Sequence, residues 1–403
     1  VKSSSTSGQI YNFEDLKSQG DKTVVLSGQY GKFINHRNVA AQGSQALFIE
    51  GLSTETNNYG DLLSIGGSSK STNPSDAVVV DIAANASGTL INNYGRIHND
   101  QSSVLGAKSA IINAGSNTAI RNHEAIRSKA NTIAGVGSNL AIYNEAGGSI
   151  STTGTAALSL QGDAATVINK GTIHADENLT INITGKNASI TNQGDISTGG
   201  YQAIRFYETG GTLSLGDRSE DSSGDLDASG NPDASSDASD DASSDASDDA
   251  SDNPTYSVID GEVVFKKSNN QYIGGTIHIN GGRLADSYKI FMSDGVVNYK
   301  RKSDFIPVLG LGSLSNTFNL DIACNETLDS GLDYSNGELS KVLLTSGTYN
   351  GDITFKKLGQ FIAGEIEFLG GHLTGNVAMT GGKISLKSVN ATLPSFVNGS
   401  LSN

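Results

Sequence analysis

A motif that recurs five times constrains the fold of this chain more than any other feature. It reads apolar residue, any residue, asparagine, any residue, usually glycine, any residue, isoleucine. It occupies Leu90–Ile97, Ala119–Ile126, Ala141–Ile150, Val167–Ile173 and Ser189–Ile196. Its asparagines are Asn93, Asn122, Asn144, Asn169 and Asn192, spaced by 29, 22, 25 and 23 residues. A repeat of this length is typical of a solenoid, in which each unit packs only on its neighbours.

The apolar residues within a repeat alternate with polar ones, as Leu179, Ile181 and Ile183 do. Period two predicts strands, and no repeat sustains the 3.6-residue period of a helix. Short strands bury such residues only when successive coils stack about 4.8 Å apart. The sequence therefore predicts an all-β fold, a right-handed parallel β-helix.

The recurring order of residues in the motif also predicts its turns. Asparagines at one register can stack into a ladder, each amide bonding its neighbour and the turn backbone. Gly95, Gly171 and Gly194 are predicted to supply a turn conformation that a side chain would penalise.

The remaining segments suggest four regions. An N-terminal cap and first coils are predicted at 1–51, with a short helix at Glu14–Ser18 and a strand at Thr23–Leu26. The motif-bearing β-helix follows at 52–216. A disordered insert rich in Asp, Ser and Ala is predicted at 217–254, since it has almost nothing to bury. Further coils at 255–403 are predicted from recurring Gly-x-apolar-x-apolar strands, such as Gly351–Phe355 and Gly382–Leu386.

Composition excludes several classes of protein. The net charge is −15 over 403 residues, but −12 of it lies between Asp217 and Asp252, so the rest of the chain carries only −3. Bulk charge thus gives no support to nucleic-acid binding. No apolar run approaches the roughly 18 residues of a membrane span, so direct membrane insertion of this segment is not predicted. A single cysteine excludes an internal disulfide.

The apolar-x-Asn-x-Gly-x-Ile coils and the Gly-x-Ile strands, over roughly Gly88 to Leu386 apart from the acidic insert, resemble passenger domains of bacterial type V autotransporters. The self-associating adhesin group is the most similar. Members carry a removable signal peptide and an outer-membrane translocator barrel. The resemblance therefore implies a bacterial cell-surface or secreted location, tethered by a barrel that this chain lacks. The implied function is adhesion, self-aggregation or biofilm formation, and the resemblance transfers no adhesive residue.

Catalytic and metal-binding patterns are sparse in the sequence. Glu365 and Glu367 form the tightest carboxylate pair, and their alternation favours two solvent-facing residues over a catalytic pair. His98 and His174 both follow a motif isoleucine and are predicted to share a face. Arg127 and Ser151 occupy the two intervening coils, which separates the histidines by about 14 Å, too far for one zinc ion. We predict no enzyme activity, no metal and no cofactor.

The predicted function is that of an adhesin that promotes self-association or attachment to a host surface protein or glycan. Antiparallel contacts between rods are predicted through the asparagine face, Asn93, Asn122, Asn144, Asn169 and Asn192. A second candidate contact, with an anionic partner, is Lys300, Arg301 and Lys302. One alternative is a β-helical polysaccharide-processing enzyme or a phage-type glycan-binding protein. The lack of aromatic platforms for sugars and the small number of carboxylates argue against it. Another alternative is a spacer that carries a partner-binding cap at Val1–Gly51.

Overall fold

The computed structural model describes residues 1–19, 22–42, 45–64, 78–99, 109–177, 179–217, 256–285, 288–300, 308–310, 315–321, 327–328, 332–334, 339–357, 359–387 and 395–396. The regular structure in these ranges consists of 42 β-strands. None of them contains a helix that is long and apolar enough to cross a membrane. The predicted insert, apart from Asp217, lies outside the described residues, as do Arg301 and Lys302.

Each of the first coils contributes three short parallel strands, which build three faces. The first face is a 15-stranded parallel sheet. Its strands are β2 (Gln9–Asn12), β5 (Lys32–Asn35), β8 (Glu55–Asn58), β11 (Leu90–Asn93), β14 (Ala119–Asn122), β17 (Ala141–Asn144), β20 (Thr166–Asn169), β23 (Ser189–Asn192), β25 (Thr212–Gly216), β27 (Thr276–Asn280), β30 (Val296–Tyr299), β31 (Asn316–Asp321), β34 (Leu339–Ser346), β38 (Gly364–Phe368) and β41 (Gly382–Leu386). At about 4.8 Å per strand, this stack is roughly 70 Å long.

The second face follows the first in each coil. It contains β3 (Leu16–Ser18), β6 (Val39–Ala41), β9 (Asp61–Ser64), β12 (Arg96–Asn99), β15 (Ala125–Ser128), β18 (Ser149–Thr152), β21 (Thr172–Ala175) and β28 (Arg283–Leu284). The third face contains β1 (Lys2–Ser3), β4 (Lys22–Leu26), β7 (Gln45–Ile49), β10 (Val80–Ile82), β13 (Ile111–Asn113), β16 (Ile133–Gly135), β19 (Leu158–Leu160), β22 (Leu179–Ile183) and β29 (Ile290–Phe291). Two long strands, β24 (Asp195–Phe206) and β26 (Val258–Phe265), run through both faces and join them into one 19-stranded sheet.

The last described coils add two smaller sheets beside the first face. A three-stranded sheet contains β32 (Thr327–Leu328), β35 (Thr348–Tyr349) and β39 (His372–Leu373). A five-stranded sheet contains β33 (Leu332–Tyr334), β36 (Ile353–Lys357), β37 (Gln360–Phe361), β40 (Asn376–Ala378) and β42 (Ser395–Phe396). Only the β36–β37 pair is antiparallel among the named strand pairs. The prediction of a parallel β-helix is confirmed.

The core is a continuous apolar column inside the coils. On the first face Ile91, Ile120 and Ile142 follow one another in register, and each is fully buried. Burying one such side chain contributes about 1.5–3 kcal/mol relative to exposing it. Because the inward residues come from successive coils, the coils stabilise each other rather than themselves.

The turn between the third and first faces uses a left-handed residue in nearly every early coil. Positive φ angles occur two residues before the first-face strands at Ser7, Tyr30, Ser53, Gly88, Asn117, Asn139, Ala164, Asn187 and Gly210. Asn and Gly adopt this conformation at the lowest cost, whereas alanine at position 164, with a φ of 57°, is strained there.

Two local predictions need correction. The predicted helix at Glu14–Ser18 is wrong, since Leu16–Ser18 forms β3 and pairs in parallel with β6. The predicted strand at Thr23–Leu26 is confirmed within β4.

The motif glycines do not have positive φ. At Gly171 an added Cβ would lie 2.1 Å from the carbonyl oxygen of Gly148 in the preceding coil, so close coil stacking is what requires glycine.

Candidate functional site: an aromatic corner

The motif asparagines form a ladder inside the first corner, where the chain turns from the first face to the second. The ladder is longer than the sequence predicted. Its eight members are Asn12, Asn35, Asn58, Asn93, Asn122, Asn144, Asn169 and Asn192. Each side-chain Nδ2 donates to Oδ1 of the next asparagine at 2.7–2.9 Å, so seven bonds connect eight coils.

The ladder also holds the turn that follows each asparagine. Asn122 Nδ2 donates to the carbonyl oxygen of Glu124 at 2.8 Å, and Asn192 Nδ2 donates to that of Gly194 at 2.9 Å. Buried amides of this kind are stabilising only when their hydrogen bonds are made. The predicted stacking and turn bonding are both present.

The asparagine side chains are not available to a second rod. Asn93, Asn122, Asn144, Asn169 and Asn192 have no exposed area. The physical reason is strand alternation: Val167 and Asn169 lie two residues apart on β20, and therefore both point inward. The prediction that these five side chains form a contact between rods is therefore wrong.

The residue after each asparagine points into solvent, and in the first five coils it is aromatic. We call Phe13, His36, Tyr59, Tyr94 and His123 the corner ring ladder. Successive ring centroids are 4.9, 5.1, 5.0 and 4.5 Å apart, with interplanar angles of 5–12°. Tyr11 extends the aromatic surface at one end, 6.3 Å from Phe13. Each stacked pair contributes roughly 0.5–1.5 kcal/mol beyond its buried area.

The corner ring ladder is exposed along its edge. Phe13 is 61% exposed, Tyr59 50% and Tyr94 44%. The inner rings cover each other's faces, so the ladder presents ring edges and tyrosine hydroxyl groups rather than open ring faces. A sugar ring that stacks on an aromatic face therefore finds no free face within the ladder. The prediction that aromatic platforms are missing overlooked these rings, although they do not form such platforms.

Charged residues flank the ladder in compensating pairs. Arg96 Nε donates to Asp61 Oδ1 at 2.9 Å, and a second bond joins Arg96 Nη2 to Asp61 Oδ2. The hydrogen bonds to Asp61 raise the pKa of Arg96 above its usual range. On the first face Lys32 Nζ lies 2.9 Å from Glu55 Oε1, and the hydrogen bond from Lys32 lowers the pKa of Glu55. These two pairs balance their own charges within two residues of the ladder or on the adjoining strands.

The aromatic character of the corner ends after His123. Glu145 and Lys170 occupy the next two positions, and Lys170 Nζ lies 3.3 Å from Glu145 Oε2. Beside them the corner opens into a polar groove of about 200 Å³, whose walls include Gly148, Gly171 and Asp195. One corner of the rod thus changes from an aromatic to a charged surface.

Other predicted residues lie apart from this corner. Lys300 is exposed just after β30, while its predicted companions Arg301 and Lys302 lie outside the described residues. His98 and His174 do share one register on the second face, with Arg127 and Ser151 between them, as predicted.

The carboxylates Glu365 and Glu367 both bind lysines, and Glu367 is buried rather than solvent-facing as predicted. Glu365 lies 3.5 Å from Lys341 and 3.6 Å from Lys383. Glu367 bonds Lys387 and, at 3.0 Å, Lys341. The hydrogen bonds from Lys387 and Lys341 lower the pKa of Glu367 to about 2, so this carboxylate stays ionised and cannot serve as a general acid near neutral pH. Within the described ranges, no three His, Cys, Asp or Glu side chains lie close enough together to hold a metal ion.

Comparisons with known proteins add no functional information. No family model matches the chain, no curated protein matches it, and no solved structure matches it.

Proposed function

We propose that this protein is an adhesin, displayed on a bacterial surface as an autotransporter-type passenger, that associates with further copies of itself through the corner ring ladder. The observation that carries the proposal is the exposed run of stacked rings along one corner of the rod. Monomeric proteins rarely expose contiguous apolar patches larger than a few hundred Å², and the largest such patch is often an interaction site. Aromatic side chains are also the residues most enriched at the energetic centres of interfaces.

The repeat distance of the ladder favours a second copy as the partner. Ring edges recur at the coil spacing of about 4.8 Å, which is a property of stacked β-strands. Another copy of the same rod has the same spacing, so every ring can meet an equivalent group. When the exposed ring edges of two rods meet, they remove apolar surface from water, which stabilises the pair.

The low affinity of a single contact suits adhesion. Burial of one exposed ring edge contributes about 1 kcal/mol. Several in register on one rod, and many rods on one cell, act as a multivalent surface whose avidity far exceeds that of any contact. The rod length of roughly 70 Å also projects the corner away from a surface to which the chain is attached.

Clumping of beads coated with the full chain tests the proposal. Beads carrying the unmodified chain should clump, and the double variant Tyr59→Ser/Tyr94→Ser should abolish clumping. A matched control is Tyr30→Asn, because Tyr30 is 55% exposed but lies on the opposite turn at a φ of 56° that asparagine tolerates. Clumping by ring contacts should persist as salt is raised, whereas pairing of charged groups is screened.

The outcomes separate the candidate partners. Clumping of the double variant at the unmodified level would contradict the role of the ladder. Failure of the unmodified chain to clump would contradict self-association, and attachment to a host protein or glycan would then be tested with the same three proteins.

A further inference from the structure

A hydrogen-bonded series of Asp176, His174 and Ser197 lies on the second face, beyond the end of the corner ring ladder. Asp176 Oδ1 is 2.8 Å from His174 Nε2, and His174 Nδ1 is 2.8 Å from Ser197 Oγ. An ionised carboxylate only accepts hydrogen bonds, so the imidazole proton lies on Nε2. Nδ1 therefore accepts the hydroxyl proton of Ser197. The order carboxylate, imidazole, hydroxyl is that of an activated serine nucleophile.

The fold positions these groups through strand register. His174 on β21 and Ser197 on β24 are direct partners in adjacent parallel strands. Their neighbours Ile173 and Ile196 are fully buried, so alternation turns His174 and Ser197 outward. The His174 side chain is 37% exposed and that of Asp176 is 55% exposed, which leaves the three groups open to solutes.

The next coil adds acidic and aromatic groups around Ser197. Asp260 is the strand partner of Ser197 on the other side, and it accepts a hydrogen bond from the Tyr288 hydroxyl group. Tyr201, four residues after Ser197 on β24, is 76% exposed. With Asp176 present as well, the surroundings repel anionic molecules and offer a ring to an uncharged one.

We propose that Ser197 is a nucleophile toward neutral acyl esters, that His174 is its general base, and that Asp176 is a positioning residue. In the first step the Oγ–acyl carbon bond forms and the ester C–O bond breaks. The Ser197 proton passes to His174 Nδ1 and then to the departing alcohol. Water hydrolyses the acyl-serine in a second step through the same base, which releases the carboxylic acid and restores Ser197. This activity is separate from adhesion by the corner ring ladder.

The serine on the other side of the same histidine provides a matched control. Ser151 is the partner of His174 on β18, in the preceding coil. Both serines lie at the same register position and are half-buried, but it is the Ser197 hydroxyl group that donates to His174 Nδ1. If exposure alone made a serine reactive, a serine-directed probe would modify Ser151 as well as Ser197.

A fluorophosphonate probe tests the proposal directly on the full chain. Its P–F bond breaks as an Oγ–P bond forms, and the mass of the intact protein and of its peptides locates the adduct. We expect one adduct, at Ser197. It should be absent in Ser197→Ala, unchanged in Ser151→Ala, and at least 10-fold slower to form in His174→Gln, which keeps a hydrogen-bonding side chain but has no base. The thermal unfolding midpoint of each variant establishes that it is folded.

Two results would overturn the proposal. One is the absence of a Ser197 adduct in the folded, unmodified chain. The other is an adduct that forms at the same rate in folded His174→Gln. Turnover gives a second readout: the neutral ester p-nitrophenyl acetate should be hydrolysed faster by the unmodified chain than by Ser197→Ala, and equal rates would contradict acyl transfer.

Discussion

The first eight coils and the later coils use the same interior position in opposite ways. In the first eight it holds the asparagine ladder, from Asn12 to Asn192. In the following coils the same register holds buried apolar residues. These are Leu215, Ile279, Tyr299, Leu320, Leu344 and Phe368. The strands of the first face pair in parallel in both regions. The same backbone arrangement therefore accommodates either a hydrogen-bonded amide ladder or packed apolar side chains at this interior position.

The outer surfaces of the two regions also differ. Beside the first five ladder asparagines the corner is aromatic, whereas beside Asn144 and Asn169 it carries the ion pair Glu145–Lys170. Beside the apolar interior, the described part of the last coils carries an ion-pair cluster of Lys341, Glu365, Glu367, Lys383 and Lys387. The comparison teaches that a polar ladder inside a turn can hold the outward residues of successive coils in register. Ion pairs between neighbouring coils occur on the surface of both regions, as Lys32–Glu55 and Lys341–Glu367 show.

The largest expected effect is on the apolar interior. Phe368 is fully buried between Leu344 and Leu386 in the neighbouring coils. Phe368→Ala should lower the free energy of unfolding of these coils by about 3–5 kcal/mol through the cavity it leaves. Hydrogen exchange should then accelerate in β34, β38 and β41 and stay unchanged in β11 to β20. Faster exchange throughout the chain would show that the two regions are not independent.

A smaller effect is expected in the asparagine ladder. Asn144→Ala removes bonds to Asn122 and Asn169 and leaves buried amide groups unpaired, at a cost of about 2–3 kcal/mol. Asn12→Ala, at the end of the ladder, removes one such bond and should cost about 1 kcal/mol. Urea denaturation of both variants measures the difference. Equal losses for the two would argue against a ladder in which each member supports the next.

A change in pH should distinguish the two regions further. The pKa of Glu367 is lowered to about 2 in the folded chain from an ordinary value of 4.5, first by the hydrogen bond from Lys387 and then by that from Lys341. Its contribution to stability is therefore complete above about pH 4.5 and is lost as the pH falls toward 2. Asparagines do not titrate in this range.

Hydrogen exchange at pH 6 and at pH 3 is the measurement for this prediction. Exchange in β38 should accelerate at the lower pH after correction for the intrinsic rate, and less so in Glu367→Gln. The same acceleration in the variant would show that Glu367 is not responsible.

The smallest expected effect is a gain in stability at a strained turn. Ala164 has a φ of 57° in a column where Asn and Gly recur. Ala164→Gly relieves this strain and should raise the free energy of unfolding by roughly 1 kcal/mol. Ala119→Gly, within β14, is the control and should lower it by about 0.5–1 kcal/mol. A loss of stability in Ala164→Gly would contradict the assignment of strain to this turn.

The repeat predicted the fold because spacing and alternation both appear in the sequence. Asn93 to Asn192 are separated by similar intervals, and the coil register follows from them. The earlier members were missed because their flanks depart from the motif: Asn35 is followed by His36, Arg37 and Asn38 instead of a glycine turn. The segment around Glu14 was predicted as helix because a strand of three residues, β3, depends on pairing with a distant segment.

The candidate sites were harder to predict than the fold. Tyr59 and Tyr94 are 35 residues apart and each reads as an ordinary turn residue, so their stacking appears only when the register is known. A signal was nevertheless present, because both directly follow a ladder asparagine. His174 and Ser197 are likewise separated by 23 residues, the same interval as Asn169 and Asn192. The inward direction of the asparagines could also have been inferred from the two-residue separation of Val167 and Asn169.

Site-specific photo-crosslinking tests the central claim most directly. A benzophenone amino acid replaces Tyr94 in the corner ring ladder or, as the control, Tyr30 on the opposite turn. Bead clumps of each variant are illuminated, and covalent dimers are counted. The proposal of self-association through the ladder predicts dimers from position 94 and few from position 30. Clumps that yield dimers from position 30 but none from position 94 would contradict it.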